Sequence, residues 1–223
     1  IAGEGSDAAF WVSDAIGRNP STAALHSFET GVIWIERDGG GVEHVKGTAY
    51  DDLGQPIPGF DNHDISGASP VAAGTTAHIA AAAAVNFGVV WVTPNALSPS
   101  GLTVMGTMFA SNGAGLDGVG FGFAAPPPFS LFDLPAGVNA SDLQMSMTGI
   151  SGEDSADLIV SWKVTDGTGN IDVMAQHIKV ALDPLTGVVL AMASEGNSVT
   201  VNADTTGTQD GGTVAGMLGD RFI

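Results

Sequence analysis

Gly31-Val32-Ile33-Trp34-Ile35-Glu36, followed by Asp38-Gly39-Gly40-Gly41 and then Val45-Lys46-Gly47-Thr48-Ala49-Tyr50, is the stretch on which the fold turns. An apolar run centred on a Trp meets a Gly/Asp turn, and a second run closes on an aromatic residue. β-branched and aromatic residues suit a pleated, packed surface. Glycine supplies the positive φ that tight hairpin turns require. The stretch therefore predicts a β-hairpin. A second turn, Asp51-Asp52-Leu53-Gly54-Gln55-Pro56, ends the unit.

The unit recurs. Gly88-Val89-Val90-Trp91-Val92 is followed by a Pro/Ser turn and Val104-Met105-Gly106-Thr107-Met108-Phe109. Leu158 to Val164, with Trp162, is followed by Asp166-Gly167-Thr168-Gly169-Asn170 and by Val173 to Val180. From each Trp to the end of the following strand the offsets are similar: 34 to 50, 91 to 109 and 162 to 178. The Trp spacing itself is uneven, so the repeats are degenerate and carry insertions. Trp11 stands too close to Trp34 to head a full unit. The Trp-bearing runs are continuously apolar, as for strands buried on both faces, whereas Val45–Tyr50 alternates. The Ala-rich tract from Ala77 to Val85 has helical propensity, but it occupies the place of Thr22-Ala23-Ala24-Leu25 before the first Trp strand and reads as a strand. The expectation is an all-β chain of degenerate β-hairpin repeats, arranged as a β-propeller-like array or a β-sandwich. It forms one domain over residues 1–223, with an insertion or boundary near 118–135. There Pro126-Pro127-Pro128 cannot donate to a ladder, and Phe121, Phe123, Phe129 and Phe132 are expected to plug one end of the core rather than form a binding surface.

Composition narrows the function. The chain carries 24 acidic residues against 6 Lys and Arg, a net charge of −18. Such a surface repels phosphate backbones and anionic membranes, and it favours solubility and cation binding. With 32 Gly, helices are penalised by roughly 1 kcal/mol per interior glycine. No apolar stretch is long enough to span a bilayer as a helix. There is no Cys, which fits a bacterial protein exported without disulfides and excludes cysteine catalysis. Ile1-Ala2-Gly3-Glu4-Gly5 has no basic and apolar leader pattern, so an export signal is expected to have been removed or to lie elsewhere.

The pattern of apolar residues before Trp, an Asp/Gly turn, a strand and then Asp-x-x-Gly-x-Pro, carried best by Val32 through Gly59, resembles the propeller-like repeats of large exported bacterial RTX-type, calcium-dependent surface proteins. Leu158–Val189 and Val89–Gly115 carry it less completely, and about half the chain is covered. The resemblance implies stacked sheets that bury one another's faces, a secreted or cell-surface location and Ca²⁺. Three units are few for a closed propeller, so closure by a second copy, a longer parent chain or another β fold are the alternatives. Gly3-Glu4-Gly5-Ser6-Asp7 and Gly113-Ala114-Gly115-Leu116-Asp117 echo the Gly-x-Gly-x-Asp turn of the RTX repeat, making Asp7 and Asp117 candidate ligands.

One loop reads as a cation site without the resemblance. Asp166, Thr168, Asn170 and Asp172 place oxygens at alternate positions, as hard cations require. The Glu that would complete such a loop is replaced by His177, and a plain hairpin turn is the competing reading. Asp61-Asn62-His63-Asp64 clusters ligand types around one His, with no second His at metal-binding spacing. Gly149-Ile150-Ser151-Gly152-Glu153 breaks the Gly-x-Ser-x-Gly nucleophile pattern, and there is no P-loop or dinucleotide fingerprint. Acidic pairs such as Glu153 with Asp154, or Asp157, could serve a glycosidase. The functional expectation is a non-catalytic binding or adhesion module with a carbohydrate or protein ligand. The alternatives are a polysaccharide-acting hydrolase and a structural subunit forming homo-oligomers through open sheet edges.

Overall fold

In a computed structural model, the described residues are 17–25, 30–51, 53–82, 86–110, 128–135, 140–148, 155–165, 169–182, 189–201, 216–217 and 221–222. Every regular element among them is a β-strand, so the chain is all-β. Three four-stranded antiparallel meanders dominate. The first sheet holds β1 (Gly17–Ala24), β2 (Thr30–Arg37), β3 (Glu43–Tyr50) and β4 (His63–Asp64). The second holds β5 (Ala77–Ala82), β6 (Asn86–Pro94), β7 (Leu102–Ala110) and β8 (Phe129–Asp133). The third holds β9 (Ala140–Thr148), β10 (Ser155–Thr165), β11 (Ile171–Leu182) and β12 (Val189–Thr200). A two-stranded ribbon joins β13 (Gly216–Met217) to β14 (Arg221–Phe222). No sheet closes on itself. No helix among the described residues is long and apolar enough to cross a membrane.

The three Trp residues occupy equivalent places. Trp34, Trp91 and Trp162 lie on the second strand of their sheets and are all buried. Across the hairpin they face Lys46, Met105 and Met174. The next residue along is small each time: Gly47, Gly106, Ala175. After it comes a buried polar residue (Thr48, Thr107, Gln176), and two positions further a buried large one (Tyr50, Phe109, Ile178). The hairpin read from sequence is thus the central pair of a four-stranded unit, with one strand added on each side. Ala77–Ala82 of the Ala-rich tract form β5, first strand of its sheet as β1 is of the first, so tertiary pairing overrides helical propensity there; residues 83–85 lie outside the described residues. The expected alternation of Val45–Tyr50 holds only at its start. Thr48 and Tyr50 are buried as well as Val45 and Ala49, because the 56–65 segment folds back over the end of the strand.

The sheets pack face to face in chain order. One face of the first sheet (Ile33, Ile35, Val45, Ala49) and the covering residues Ile57, Phe60, Ile65 and Val71 share a cluster with Val89, Trp91, Met105 and Phe109 of the second. The opposite face of the second (Val90, Val92, Val104, Met108) shares another with Leu158, Val160, Trp162 and Ile178 of the third. The Trp of each later sheet therefore faces the sheet before it, with Phe132 of β8 against Trp162 at 5.0 Å between ring centroids. Phe129 also packs on this cluster, so these two phenylalanines belong to the core as expected. Phe121 and Phe123 lie outside the described residues.

The first strands neighbour one another, with β5 against both β1 and β9, and β8 meets β12 on the other side. A repeated bond ties the first strands together. Ser21, opposite Ile33, accepts the Ile79 N–H at 3.3 Å. His78, opposite Val90, accepts the Met145 N–H on Nδ1 at 3.2 Å. Both acceptors sit opposite the residue before the Trp. Both donors sit opposite the residue two before the next Trp, Val89 and Val160. Edge-strand N–H groups that would otherwise be unpaired are satisfied by the neighbouring sheet.

Candidate functional site

The repeat singles out a place to look: a position that is apolar in two sheets and charged in the third. The residue three before the one facing the Trp is Glu43 in the first sheet, Leu102 in the second and Ile171 in the third. Glu43 is only 10% exposed. A charge largely withdrawn from water is costly unless paired, and Glu43 is paired twice. Arg18, across the bulge in β1, donates to it from Nε at 3.2 Å and from Nη2. Arg37, its cross-strand partner, donates from Nη2 at 3.0 Å. The Arg18 hydrogen bonds hold the Glu43 carboxyl below its ordinary range, outweighing the burial that pushes it up, and Arg37 adds to the effect. Arg18 Nη1 also donates to the Thr75 carbonyl at 2.7 Å, which ties the first sheet to the approach to β5.

These groups line an open cleft of about 430 Å³ with Ile35 and Asp38, within the size range of small-molecule sites. Asp38 belongs to the β2–β3 turn, where its Oδ1 accepts the Gly40 and Val42 N–H groups, both at 2.8 Å. The Val42 bond is the main reason its carboxyl titrates below the usual value. Beside it, His44 Nε2 lies 3.7 Å from Asp38 Oδ2 and Nδ1 lies 3.8 Å from Asp64 Oδ2, which also approaches Lys46 Nζ at 3.7 Å. Ser66 Oγ accepts the Val45 N–H and donates to Asp64 Oδ1. His44, Asp64 and Ser66 do not form a nucleophilic triad. Ser66 and Asp64 both approach the same ring nitrogen, Nδ1, so no base is oriented by a third group.

A second ionisable group spans the third sheet. His177 Nε2 is 2.7 Å from Asp157 Oδ1 and its Nδ1 is 3.1 Å from Glu195 Oε2. Both ring nitrogens thus face carboxylates from adjacent strands.

Of the candidate ligands read from sequence, Asn170 and Asp172 fall among the described residues. Asp7, Asp117, Asp166 and Thr168 lie outside the described residues. Thr165 pairs with Ile171, so 166–170 connects β10 to β11, and Asn170 is its last residue. Asp172 lies in β11 opposite Val164, on the strand rather than in the loop. Among the described residues no three His, Asp or Glu side chains converge as a metal would require. Of the Asp61–Asp64 cluster, Asn62 takes a positive φ of 49°. His63 instead stacks on Phe60 at 5.1 Å, and burial lowers its pKa. The Arg18–Glu43–Arg37 grouping was missed in the sequence because its members are 25 and 6 residues apart and fall outside any spaced motif. Aligning Glu43 with Leu102 and Ile171 is the signal that could have found it. No protein-family model, curated protein or solved structure matches the chain.

Proposed function

We propose that this chain is a non-catalytic binding module of an exported bacterial surface protein, with the cleft at Arg18, Arg37, Asp38 and Glu43 as its ligand site. One observation carries the reading: a largely shielded, doubly paired carboxylate stands where the sister sheets have Leu102 and Ile171. The rest of the molecule serves as scaffold, since binding groups held on the ends of a rigid sheet are well positioned. Consecutive four-stranded meanders with first strands adjacent support a propeller-like arrangement of the three units. A calcium-stabilised 166–170 turn, with Asp172 near the start of β11, belongs to the same reading, resting on the alternating oxygens of the sequence.

The test is an amide chemical-shift map of the ¹⁵N-labelled protein against a panel of soluble saccharides and peptides. Shifts gathered at residues 37–43 are expected for at least one panel member. A panel that moves only amides far from the cleft, or none, removes the site. For calcium, melting with excess Ca²⁺ should occur several degrees above melting with chelator, and identical curves end that part of the proposal.

A further inference from the structure

We propose that the cleft recognises a hydroxy-carboxylate, the chemistry a uronic acid presents, with the carboxylate on Arg37 and the neighbouring hydroxyls on Asp38. This rests on the cleft being the ligand site. Arg18 is committed to the fold: Nε and Nη2 go to Glu43 and Nη1 to the Thr75 carbonyl. Arg37 gives Glu43 one hydrogen bond and keeps a side chain 65% exposed. Two guanidiniums share the single Glu43 carboxylate, so the Arg37 charge is only partly neutralised by it; with Asp38 counted, the four charged groups lining the cleft sum to zero in a chain of net charge −18. A planar guanidinium fork matches a carboxylate in two parallel hydrogen bonds.

Asp38 sets the second requirement. Its Oδ1 is taken by the Gly40 and Val42 N–H groups, while Oδ2 stands 3.7 Å from His44 Nε2, beyond hydrogen-bond length. An ionised carboxylate oxygen only accepts, so it favours a ligand bearing hydroxyl donors and disfavours a second negative charge. A phosphate, with up to two charges, is a poorer match than a singly charged carboxylate. A neutral sugar leaves the Arg37 fork unmatched.

The experiment titrates ¹⁵N-labelled full chain with sodium glucuronate, glucose, acetate and glycine, following the amides of residues 37–43. Glucuronate should bind at least tenfold more tightly than each of the other three, and Arg37→Gln should abolish its effect. The variant's unchanged spectrum away from the cleft shows that it is folded, as the exposure of Arg37 leads one to expect. Glucose or acetate binding as well as glucuronate overturns the combined requirement. Glycine binding as well shows that Asp38 reads an ammonium. In those cases the ligand site stands and its assigned chemistry fails. If none of the four moves these amides, the hydroxy-carboxylate is wrong, and the saccharide and peptide panel decides separately whether the site exists.

Discussion

The indole N–H groups of the three equivalent Trp residues meet different fates. Trp34 Nε1 donates to Glu36 Oε2 at 3.1 Å and Trp91 Nε1 to the Ser69 carbonyl at 3.2 Å. Trp162 Nε1 is buried with no acceptor among the described residues. A buried donor left unmade costs roughly 1–3 kcal/mol, whereas a made one contributes about 1 kcal/mol net. Trp→Phe removes the N–H and some packing at each site. Trp162→Phe should therefore be less destabilising than Trp91→Phe by about 1–2 kcal/mol. Urea denaturation of the two variants measures this, and equal losses would show that the Trp162 N–H costs the fold nothing.

At the scale of elements, the same place in two sheets calls for glycine for a reason of contact. A Cβ on Gly47 would lie 2.8 Å from Ile65 Cδ1 and 3.2 Å from the Val32 carbonyl oxygen; one on Gly106 would lie 2.8 Å from Leu131 Cδ1. Neither glycine has a positive φ, so strand propensity alone would favour Ala. Gly47→Ala presses on fixed backbone and should cost about 1–3 kcal/mol, as overpacking does. Gly106→Ala meets only side-chain ends that can move and should cost clearly less. Thermal melts that rank the two the other way would contradict this account. The inter-sheet bond at His78 makes a separate prediction. Burial lowers its pKa from the ordinary 6.5, and its Nδ1 must stay unprotonated to accept the Met145 N–H. Below pH 6.5 the unfolded chain takes up a proton that the native one refuses, so stability falls as the pH drops towards the depressed native value. His63 shifts in the same direction. The loss from Glu43 comes separately and lower, as the pH falls below its ordinary 4.5, because its carboxyl is the group held down. His78→Gln keeps an acceptor but removes the titration, and its melting temperature should fall less between pH 7 and pH 5 than that of the parent. Parallel pH profiles would rule out His78 as the source. The Trp strands, their hairpin partners and the strand character of the Ala-rich tract were legible because each is written in contiguous residues. The first strand of the third sheet, the fourth strands and the Arg18–Glu43–Arg37 grouping were not, because they depend on which distant segments the hairpins recruit.

Across the whole molecule the stacking pattern changes at the third sheet. On either side of the Trp, the face that receives the next sheet carries Ile33 and Ile35 in the first and Val90 and Val92 in the second. The same positions in the third are Ser161 and Lys163. Where the first and second sheets have Ala49 and Met108 on the neighbouring strand, the third has His177, engaged with Asp157 and Glu195. Repeat arrays end in units with a polar outer face, because an apolar one would recruit another copy. By this reasoning the third sheet does not take a further sheet as the first two do: Ser161, Val173 and Ala175 on that face are already buried, and a sheet laid on it would have to desolvate Lys163 and the His177 cluster. Replacing the part-exposed polar groups by Lys163→Ile and His177→Met should make this face adhere to a second copy. The double variant is expected to associate at micromolar concentration while the parent keeps the mass of one chain, as read by multi-angle light scattering. A parent that is already a stable oligomer through this face, or a folded variant that stays a single chain, would show that these two positions do not govern association there.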